Sequence, residues 1–390
     1  MNISVFTIGR FWQFDLGRQI LRLGHGLSLF TSNPRSHVDA EIRPYARTHP
    51  IFRIPFAIGG RLGLAARLYW LDEVLLKDLG RWLERSVDLS WTDIYHALDG
   101  VGPGTGRLMK ESGKLWICDR GCSHLLTQQE ILLEEYKIWQ VPPPEFAPDR
   151  IERCVAEYEE AHAITVPSLF AKRSFLENGI AEERVFLCPY GVDLSEFRPD
   201  VKRDEVFRII YVGQITVRKG IGYLLEAVEP LVRKHKCELW LVGEVDSRMR
   251  RVLDRYKSVF EYKGVYPRKE LWRLYSQASV LVLASVEEGF GLVQAQAMAC
   301  GVPVIATTNT GAEDLFTDGV EGFIVPIRSP EAIREKLEWM MDNEELRERM
   351  AAAALEQVKK LGGWDSYGDR VDLVYRGLAA RHSIELHEAS

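Results

Sequence analysis

Apolar and polar residues alternate along this chain in two kinds of segment, short apolar runs and longer amphipathic stretches. Each apolar run is continuous, which is typical of strands in a parallel sheet that helices cover on both faces. The pattern predicts about six strands in each half of the chain. The predicted strands are residues 3–9, 27–32, 92–98, 114–118, 163–167 and 184–189, followed by 207–213, 237–243, 259–264, 279–285, 302–307 and 322–326.

Helical patterns fill the gaps between these runs, for example at 224–235, 269–278 and 331–341. Repeated strand–helix units predict an α/β fold with a doubly wound sheet. A chain of 390 residues is long enough for two such domains. The polar segment 193–208, which contains Pro199, is the best boundary between them.

The predicted domains are residues 1–198 and 199–363. A final segment, 364–390, follows the double glycine Gly362–Gly363 and is expected to form a helix that crosses back to the first domain. Two facing domains of this kind usually bind a ligand in the cleft at the carboxyl ends of their strands.

Composition narrows the class of protein. Apolar residues make up 46% of the chain, which indicates an ordered globular protein, and the formal net charge of −6 argues against non-specific binding of nucleic acid. The six cysteines are scattered, no leader-like segment precedes the first predicted strand, and no apolar run reaches about 20 residues. We therefore expect a cytoplasmic protein with free thiols.

The stretch 285–301, SVEEGFGLVQAQAMACG, carries the first chemical signal. A buried strand ends near Ser285, and Gly289 and Gly291 lie where the next helix begins. Glycines there let a ligand approach the free backbone N–H groups, which favour an anion such as a diphosphate. Glu288 at the same corner suits hydroxyl groups, as on a sugar. The alternative is a tightly packed strand–turn–helix corner without a ligand.

A second signal lies upstream in 208–220, RIIYVGQITVRKG. Here a strand ends in Gly213, and Arg218 and Lys219 precede the next helix at Gly220. Two cations at a helix N-terminus are unfavourable without a counter-anion, so they favour a diphosphate site over a solvated charge pair.

With both signals present, the chain resembles the family-4 retaining glycosyltransferases (glycosyltransferase group 1), which have the GT-B fold of two Rossmann-like domains facing each other across a cleft. The resemblance covers nearly the whole chain and is strongest over 184–330. The matching stretches are PYGVDLSEFRP (189–199), YVGQITVRKGIGYLLEAV (211–228), YKGVYPRKELWRLYSQASVLVLAS (262–285), EGFGLVQAQAMACGVPVIAT (288–307) and TGAEDLFTDGVEGFIVP (310–326).

The resemblance implies roles for residues of the second domain. Glu288 would hold the donor sugar, and Lys219 would stabilise the leaving diphosphate with help from Arg218. Gln296 stands where the family has a second glutamate for the ribose hydroxyls, and Gln214 stands where it commonly has arginine. The other expected donor-binding residues are Gly213, Gly264, Val265, Gly289, Phe290, Gly291 and Leu292.

In the first domain the match is weaker. Gly9 and Arg10 replace the family's glycine-rich loop and are expected to face the diphosphate. The family's histidine near the donor sugar has no clean match, and Asp119 and His124 are the candidates for its place. Tyr190 stands where the family often has asparagine.

These residues imply a hexosyltransferase that moves a sugar, with retention, from a nucleoside diphosphate to a glycan, lipid-linked or small acceptor in polysaccharide or glycoconjugate assembly. No Asp-x-Asp sequence occurs in the chain, so we expect no metal and no other cofactor. The alternatives are a non-catalytic member that binds nucleotide sugar or glycan without turnover, and an epimerase on the same fold.

Other segments carry weaker signals. The basic segment 33–53 is a candidate for an acidic acceptor, and the amphipathic stretch 58–86 would either pack on the first sheet or contact the inner face of a membrane. The glycine-rich stretch 96–109 lacks the dinucleotide-binding spacing and predicts a turn and helix start lining the cleft. Cys118, Cys122 and His124 lack a fourth zinc ligand.

Overall fold

The computed structural model describes residues 1–50, 69–144, 146–193, 195–234 and 237–382, with the backbone alone at 69–72. It contains two parallel β-sheets. The first has seven strands in the order β3-β2-β1-β4-β5-β6-β7. These are β1 (Asn2–Thr7), β2 (Gly26–Thr31), β3 (Ala46–Thr48), β4 (Ile94–Leu98), β5 (Leu115–Asp119), β6 (Ala163–Val166) and β7 (Val185–Leu187).

The second sheet has six parallel strands in the order β10-β9-β8-β11-β12-β13. They are β8 (Arg208–Val212), β9 (Glu238–Val242), β10 (Glu261–Gly264), β11 (Val280–Leu283), β12 (Val304–Thr307) and β13 (Gly322–Val325). The doubly wound α/β prediction is confirmed, and each of the twelve predicted strands corresponds to a strand of the structure. β3 escaped prediction because its three residues, Ala-Arg-Thr, form no apolar run.

Helices connect and cover the strands. Those of the first half are α1 (Gln13–Arg22), α2 (Tyr69–Ser86), α3 (Pro103–Glu111), α4 (Leu125–Ile138), α5 (Pro148–Glu160) and α6 (Leu169–Glu177). Those of the second half are α7 (Ile221–Arg233), α8 (Arg250–Arg255), α9 (Leu271–Tyr275), α10 (Val293–Ala299), α11 (Pro330–Asp342), α12 (Glu344–Lys360) and α13 (Gly363–Arg381).

The strand order of the second sheet creates a switch point between β8 and β11. The chain leaves β8 toward β9 on one side, whereas β11 and the strands after it lie on the other side. The connections from β8 and β11 therefore run to opposite sides of the sheet, and ligands of open α/β sheets bind in the crevice at the carboxyl ends of the strands at such a point.

The last helix, α13, lies against the first domain. His25 Nε2 is 2.7 Å from Asp372 Oδ1, and the buried His96 Nδ1 is 2.7 Å from the hydroxyl of Tyr375. Polar contacts thus connect α13 to β4 and to the loop after α1. The domain boundaries at 198 and 363 remain a prediction.

The amphipathic stretch 58–86 lies partly outside the described residues, which resume at 69. In α2, Leu76, Leu79 and Leu83 are buried in the core of the first domain. Its apolar face is therefore covered by protein. Across the described residues, no helix is both long and apolar enough to cross a membrane.

The basic segment 33–53 contains β3 and two 3₁₀ turns, and its residues 51–53 lie outside the described part of the chain. Arg43 donates to the carbonyl of Val38, and Arg47 donates to the carbonyl of Ser86. These two cations are therefore engaged by backbone carbonyls, and a role for the segment in acceptor binding stays a prediction.

Candidate active site

The loops that follow β8 and β11 meet through two side-by-side ion pairs. The backbone N–H of Val286 donates to the carbonyl of Arg218 (3.0 Å), which fixes the loops relative to each other. Arg218 Nη1 lies 3.2 Å from a carboxylate oxygen of Glu287, and Lys219 Nζ forms an ion pair with Glu288 Oε2. The structure thus brings together the cations and the glutamate that the sequence predicted would share a site.

Lys219 and Glu288 are mostly buried, with side-chain exposures of 13% and 14%. Burial lowers the pKa of Lys219, and the neighbouring Arg218 lowers it further. Cys122 and Glu287 oppose this effect, since a nearby negative charge favours the charged ammonium. Without a ligand, each group is the other's counter-charge in a partly desolvated crevice.

Arg218 has its own partner at the same corner. Its guanidinium donates both to the carbonyl and to the carboxylate of Glu287, so it is engaged within the protein. Glu287 neutralises its charge in the free protein, as Glu288 does for Lys219, and its role as a second cation for a diphosphate stays a prediction. Lys219 is the cation that remains beside Glu288.

Close packing explains the two glycines of the glycine corner. A β-carbon at Gly289 would collide with the carbonyl oxygen of Gly121, and Gly291 has a left-handed φ of 61°. Both positions therefore require glycine for steric reasons. Phe290 is buried, Leu292 borders the cleft between the domains, and the backbone N–H of Glu288 donates to Asn309 O (2.9 Å).

The two glutamines of α10 do different things. Gln294 is buried and its amide donates to the carbonyls of Phe290 (3.0 Å) and Thr310 (2.9 Å), which ties the glycine corner to the loop after β12. Gln296 accepts a hydrogen bond from the hydroxyl of the buried Tyr275 (3.2 Å) through Oε1. That bond orients the amide of Gln296.

The two first-domain candidates, Asp119 and His124, have partners within the first domain. Asp119 accepts from Trp12 Nε1 (2.7 Å), Gln13 Nε2 (2.7 Å) and Thr165 Oγ1 (2.8 Å), so both of its oxygens are occupied. It orders the loop after β1. We therefore no longer propose Asp119 as a catalytic residue.

His124 caps the N-terminus of α4, where its ring accepts from the N–H of Leu126. The ring packs against Tyr158 and Phe175, with centroid distances of 4.9 and 5.0 Å. Burial lowers the pKa of His124 to about 4, so it is neutral at physiological pH. Its contacts in the first-domain core account for the ring without a ligand, and a catalytic role for His124 stays a prediction.

Arg10 and its neighbours line a cleft of about 660 Å³ between the two domains. Arg10 is 66% exposed and pairs with Asp39 (2.8 Å), while Gly9 packs against the ring of Phe11. The second domain contributes Arg268, Lys269 and Leu292 to the same cleft. Arg10 thus lines this cleft, and its contact with a diphosphate stays a prediction.

The remaining donor candidates border the carboxyl ends of β8 and β10. Gly213 and Gly264 both have positive φ, 144° and 85°, which suits glycine. Val265 is exposed. Gln214 lines a cavity of about 430 Å³ together with Leu132 and Tyr136 of α4. Gly213 and Gln214 thus follow β8 at the switch point, whereas Gly264 and Val265 lie two strands away at the end of β10.

The glycine-rich stretch 96–109 forms a strand end, a turn and the start of α3. Its glycines contact first-domain side chains: β-carbons at Gly102, Gly104 and Gly106 would meet Tyr95, Glu84 and Trp116. All six cysteines are free. Among the described residues, no group of three or more His, Cys, Asp or Glu side chains is arranged to hold a metal ion.

Two further residues of the site were not singled out as functional from the sequence. Glu287 is fully buried between the domains, and only its position next to Glu288 could have drawn attention to it. Tyr190 stacks on Trp12 (4.8 Å between centroids) and meets Phe290 edge-on (5.4 Å). Its departure from the family's asparagine is the sequence signal for this aromatic contact.

Residues 194–357 match the family model described as glycosyl transferases group 1. The second half of this chain is a group 1 glycosyltransferase domain. The glycosyltransferase fold extends over the whole chain: sucrose-phosphate synthase from Thermosynechococcus elongatus has a TM-score of 0.76 at 20% identity, covering 98% of this chain and 100% of its own. The structures therefore share the GT-B fold.

Curated relatives match this chain over a shorter range. An uncharacterised glycosyltransferase of Methanocaldococcus jannaschii is 27% identical over 243 residues, which are 57% of this chain and 61% of the relative. A D-inositol 3-phosphate glycosyltransferase of Thermomonospora curvata is 30% identical over 229 residues, which are 51% of this chain and 53% of the relative. The chain thus spans less than two thirds of the length of these relatives.

A second solved structure, Anabaena HepE in complex with UDP-glucose, has a TM-score of 0.68 at 14% identity. It covers 97% of this chain and 100% of its own. At this level of identity the likeness concerns the fold.

Proposed function

We propose that this protein transfers a hexose from a nucleoside diphosphate sugar to a glycan, lipid-linked or small acceptor, with retention of configuration. The observation that carries the proposal is the ion pair of Lys219 and Glu288 at the β8–β11 switch point of a group 1 glycosyltransferase domain. A cation for the diphosphate and a carboxylate for hydroxyl groups meet where open α/β sheets bind ligands.

The leaving group is the part of the reaction that these side chains address best. When the bond to the sugar breaks, negative charge develops on the diphosphate, and a fixed cation in a partly desolvated crevice stabilises that charge. Lys219 takes this role in the proposal. Glu288, released from Lys219 by the diphosphate, accepts hydrogen bonds from the sugar hydroxyls. No metal is required, because the protein supplies the cation.

The nucleoside would extend along the second sheet from this point. Gln296 would contact the ribose, and the backbone at Gly264 and Val265 would contact the base. The backbone N–H groups of residues 289–292 would face the diphosphate together with Gly213 and Gln214. The leaving phosphate would take the acceptor proton, so the reaction needs no protein nucleophile, and the cleft beside Arg10 is the proposed entry for the acceptor.

The competing proposal is a protein that binds a nucleotide sugar without turnover. Gln214 and Gln296 favour it, because each replaces a charged residue of the family with a neutral amide. Lys219 and Glu288 are both retained, and that favours transfer. The two proposals differ in one measurable product, free nucleoside diphosphate.

The first test is a thermal-shift screen of the protein with UDP, GDP, ADP and their hexose derivatives. UDP is the first choice because a protein of the same fold was solved with UDP-glucose. A nucleotide at 100 times its dissociation constant stabilises a protein by about 2.7 kcal/mol. If none of the nucleotides raises Tm, the donor site is refuted.

The second test measures nucleoside diphosphate released from the sugar nucleotide that binds. Release supports transfer or donor hydrolysis, whereas binding without release supports the competing proposal. The anomeric configuration of the product, read by NMR, tests retention. Full activity in excess EDTA is expected, and its loss would contradict metal independence.

A further inference from the structure

Glu287 receives hydrogen bonds from both domains at once. From the first domain, Ser123 donates its backbone N–H (3.1 Å) and its hydroxyl (2.8 Å) to Oε1, and Gln128 donates its amide (2.8 Å) to Oε2. From the second domain, Arg218 donates to Oε2 (3.2 Å). The carboxylate therefore links the loop before α4, and the first turn of α4, to the loop after β11.

The cost of burying this carboxylate indicates that its contacts are specific. Burial alone would raise the pKa of Glu287, but Arg218 and the hydrogen bonds from Gln128 and Ser123 hold it below its ordinary value. Gln128 is itself fixed, since Arg120 donates to its Oε1 (3.0 Å). A buried charge held by four donors tolerates the loss of few of them.

The backbone near Glu287 is in close contact with the first-domain loop. Gly289 lies directly against Gly121 and Cys122, so the glycine corner and the first-domain loop touch through main-chain atoms. Separation of the domains at this point would remove three of the four donors of Glu287 and leave Arg218 alone.

Glu287 is covalently adjacent to Glu288, and Arg218 is adjacent to Lys219. The two ion pairs therefore run in parallel between the same two loops, one facing the first domain and the other the proposed donor site. Any rearrangement of Glu287 and Arg218 shifts the backbone that carries Lys219 and Glu288. The geometry of the proposed catalytic pair thus depends on contact with the first domain.

We propose that Glu287 is a positioning residue that aligns Lys219 and Glu288 for sugar transfer only while the loop before α4 is seated on the glycine corner. This inference rests on the proposed function. Ser123 and Gln128 do not touch the donor in the proposal. They are therefore expected to affect turnover rather than nucleotide affinity.

The variant that tests it is Gln128→Ala, which removes a first-domain donor and leaves Arg218, Glu287 and the donor site unchanged. Arg328→Ala is the matched control. Arg328 also crosses between the domains, with its guanidinium 2.8 Å from Glu135 and 2.7 Å from Glu134 at the other end of α4. Loss of that contact loosens the interface away from the donor loops.

Without ligand, hydrogen–deuterium exchange of Gln128→Ala is expected to show increased uptake in residues 285–291, with uptake at β12 unchanged. With UDP-glucose as the probe, we expect UDP release to slow about fivefold or more, while the dissociation constant of UDP stays within about twofold. Arg328→Ala is expected to change both quantities less than twofold.

Unchanged exchange at 285–291 in Gln128→Ala would overturn the inference, and so would an unchanged rate or an equal loss of rate and UDP affinity. An equal rate loss in Arg328→Ala would assign the effect to general loosening of the interface and would also overturn it. Failure of the wild-type protein to bind any nucleotide would refute the proposed function itself. The exchange experiment needs no nucleotide, so the two failures are distinguishable.

Discussion

Lys219 and Glu288 neutralise each other across the crevice between the loops that follow β8 and β11. In the proposed reaction, the diphosphate of the sugar nucleotide must therefore break this pair to reach Lys219. The carboxylate of Glu288 is then left for the sugar hydroxyls. Affinity for the nucleotide and the rate of transfer then depend on different members of the same pair.

The first prediction separates these two effects with Glu288→Gln. The variant removes the counter-charge of Lys219, so the dissociation constant of UDP is expected to stay unchanged or improve. Turnover of the sugar nucleotide is expected to fall about 10- to 100-fold, because a charge-assisted hydrogen bond to the sugar is lost. Isothermal titration with UDP and an assay of UDP release measure the two quantities.

Lys219→Met is the reciprocal variant. Removal of the cation is expected to weaken UDP binding about 10- to 100-fold, in line with the loss of a charged hydrogen bond of about 1.5–3 kcal/mol. It also leaves Glu288 mostly buried without its partner, so Tm is expected to fall. If UDP binds equally well to wild type and Lys219→Met, Lys219 does not contact the diphosphate.

The sequence predicted the architecture well because continuous apolar runs and helical periodicity report directly on a parallel sheet covered by helices. It also predicted that the segments around Lys219 and Glu288 share a site, since both follow strands that meet at one edge of the sheet. It did not predict partners. From the sequence, Arg218 is expected to be a free cation, yet its guanidinium donates to Glu287. That contact forms only when distant segments of the chain fold together.

First-domain chemistry was harder to predict for the same reason. Asp119 and His124 look available at the end of a strand, but their partners Trp12, Thr165 and Tyr158 are contributed by distant segments. Burial and hydrogen bonding by such residues decide whether a polar side chain reacts or stabilises the fold. Local sequence carries no record of either.

Gln296→Glu tests the proposed ribose contact. In the free protein the variant places a carboxylate in a nearly buried position where Tyr275 is the donor that the structure identifies, so Tm is expected to fall. With UDP bound, the ribose hydroxyls supply further donors, and UDP affinity is expected to rise about tenfold, equivalent to about 1.4 kcal/mol. An unchanged affinity would remove Gln296 from the donor site.

Tyr190 allows its ring to be tested separately from its hydroxyl. The ring contacts Trp12, Phe290 and Tyr367, whereas the buried hydroxyl has no hydrogen-bond partner within the described residues. Tyr190→Phe is therefore expected to match or exceed wild-type stability. Tyr190→Ala is expected to lose about 3–5 kcal/mol because it leaves a cavity between the two domains.

Chemical denaturation of both Tyr190 variants measures these changes. The alanine variant is also expected to bind UDP more weakly, since Phe290 of the glycine corner loses its neighbour. A phenylalanine variant less stable than wild type by more than about 1 kcal/mol would show that the hydroxyl has a stabilising partner.

The pH dependence of stability is predicted to contain a contribution from Glu157. This carboxyl is buried in α5 and accepts from the backbone N–H of Gly100, and burial together with the neighbouring Asp99 raises its pKa from 4.5 to about 8. A raised folded-state pKa means that the stabilising contribution is complete below about pH 4.5. It is lost as pH rises toward 8, because the unfolded chain ionises first.

Glu157→Gln cannot ionise and keeps an oxygen for Gly100. We therefore expect the stability of the variant relative to wild type to rise by about 1 kcal/mol per pH unit between pH 5 and pH 8. Urea unfolding at each pH measures this difference, and parallel curves for the two proteins would mean that Glu157 ionises normally in the folded state.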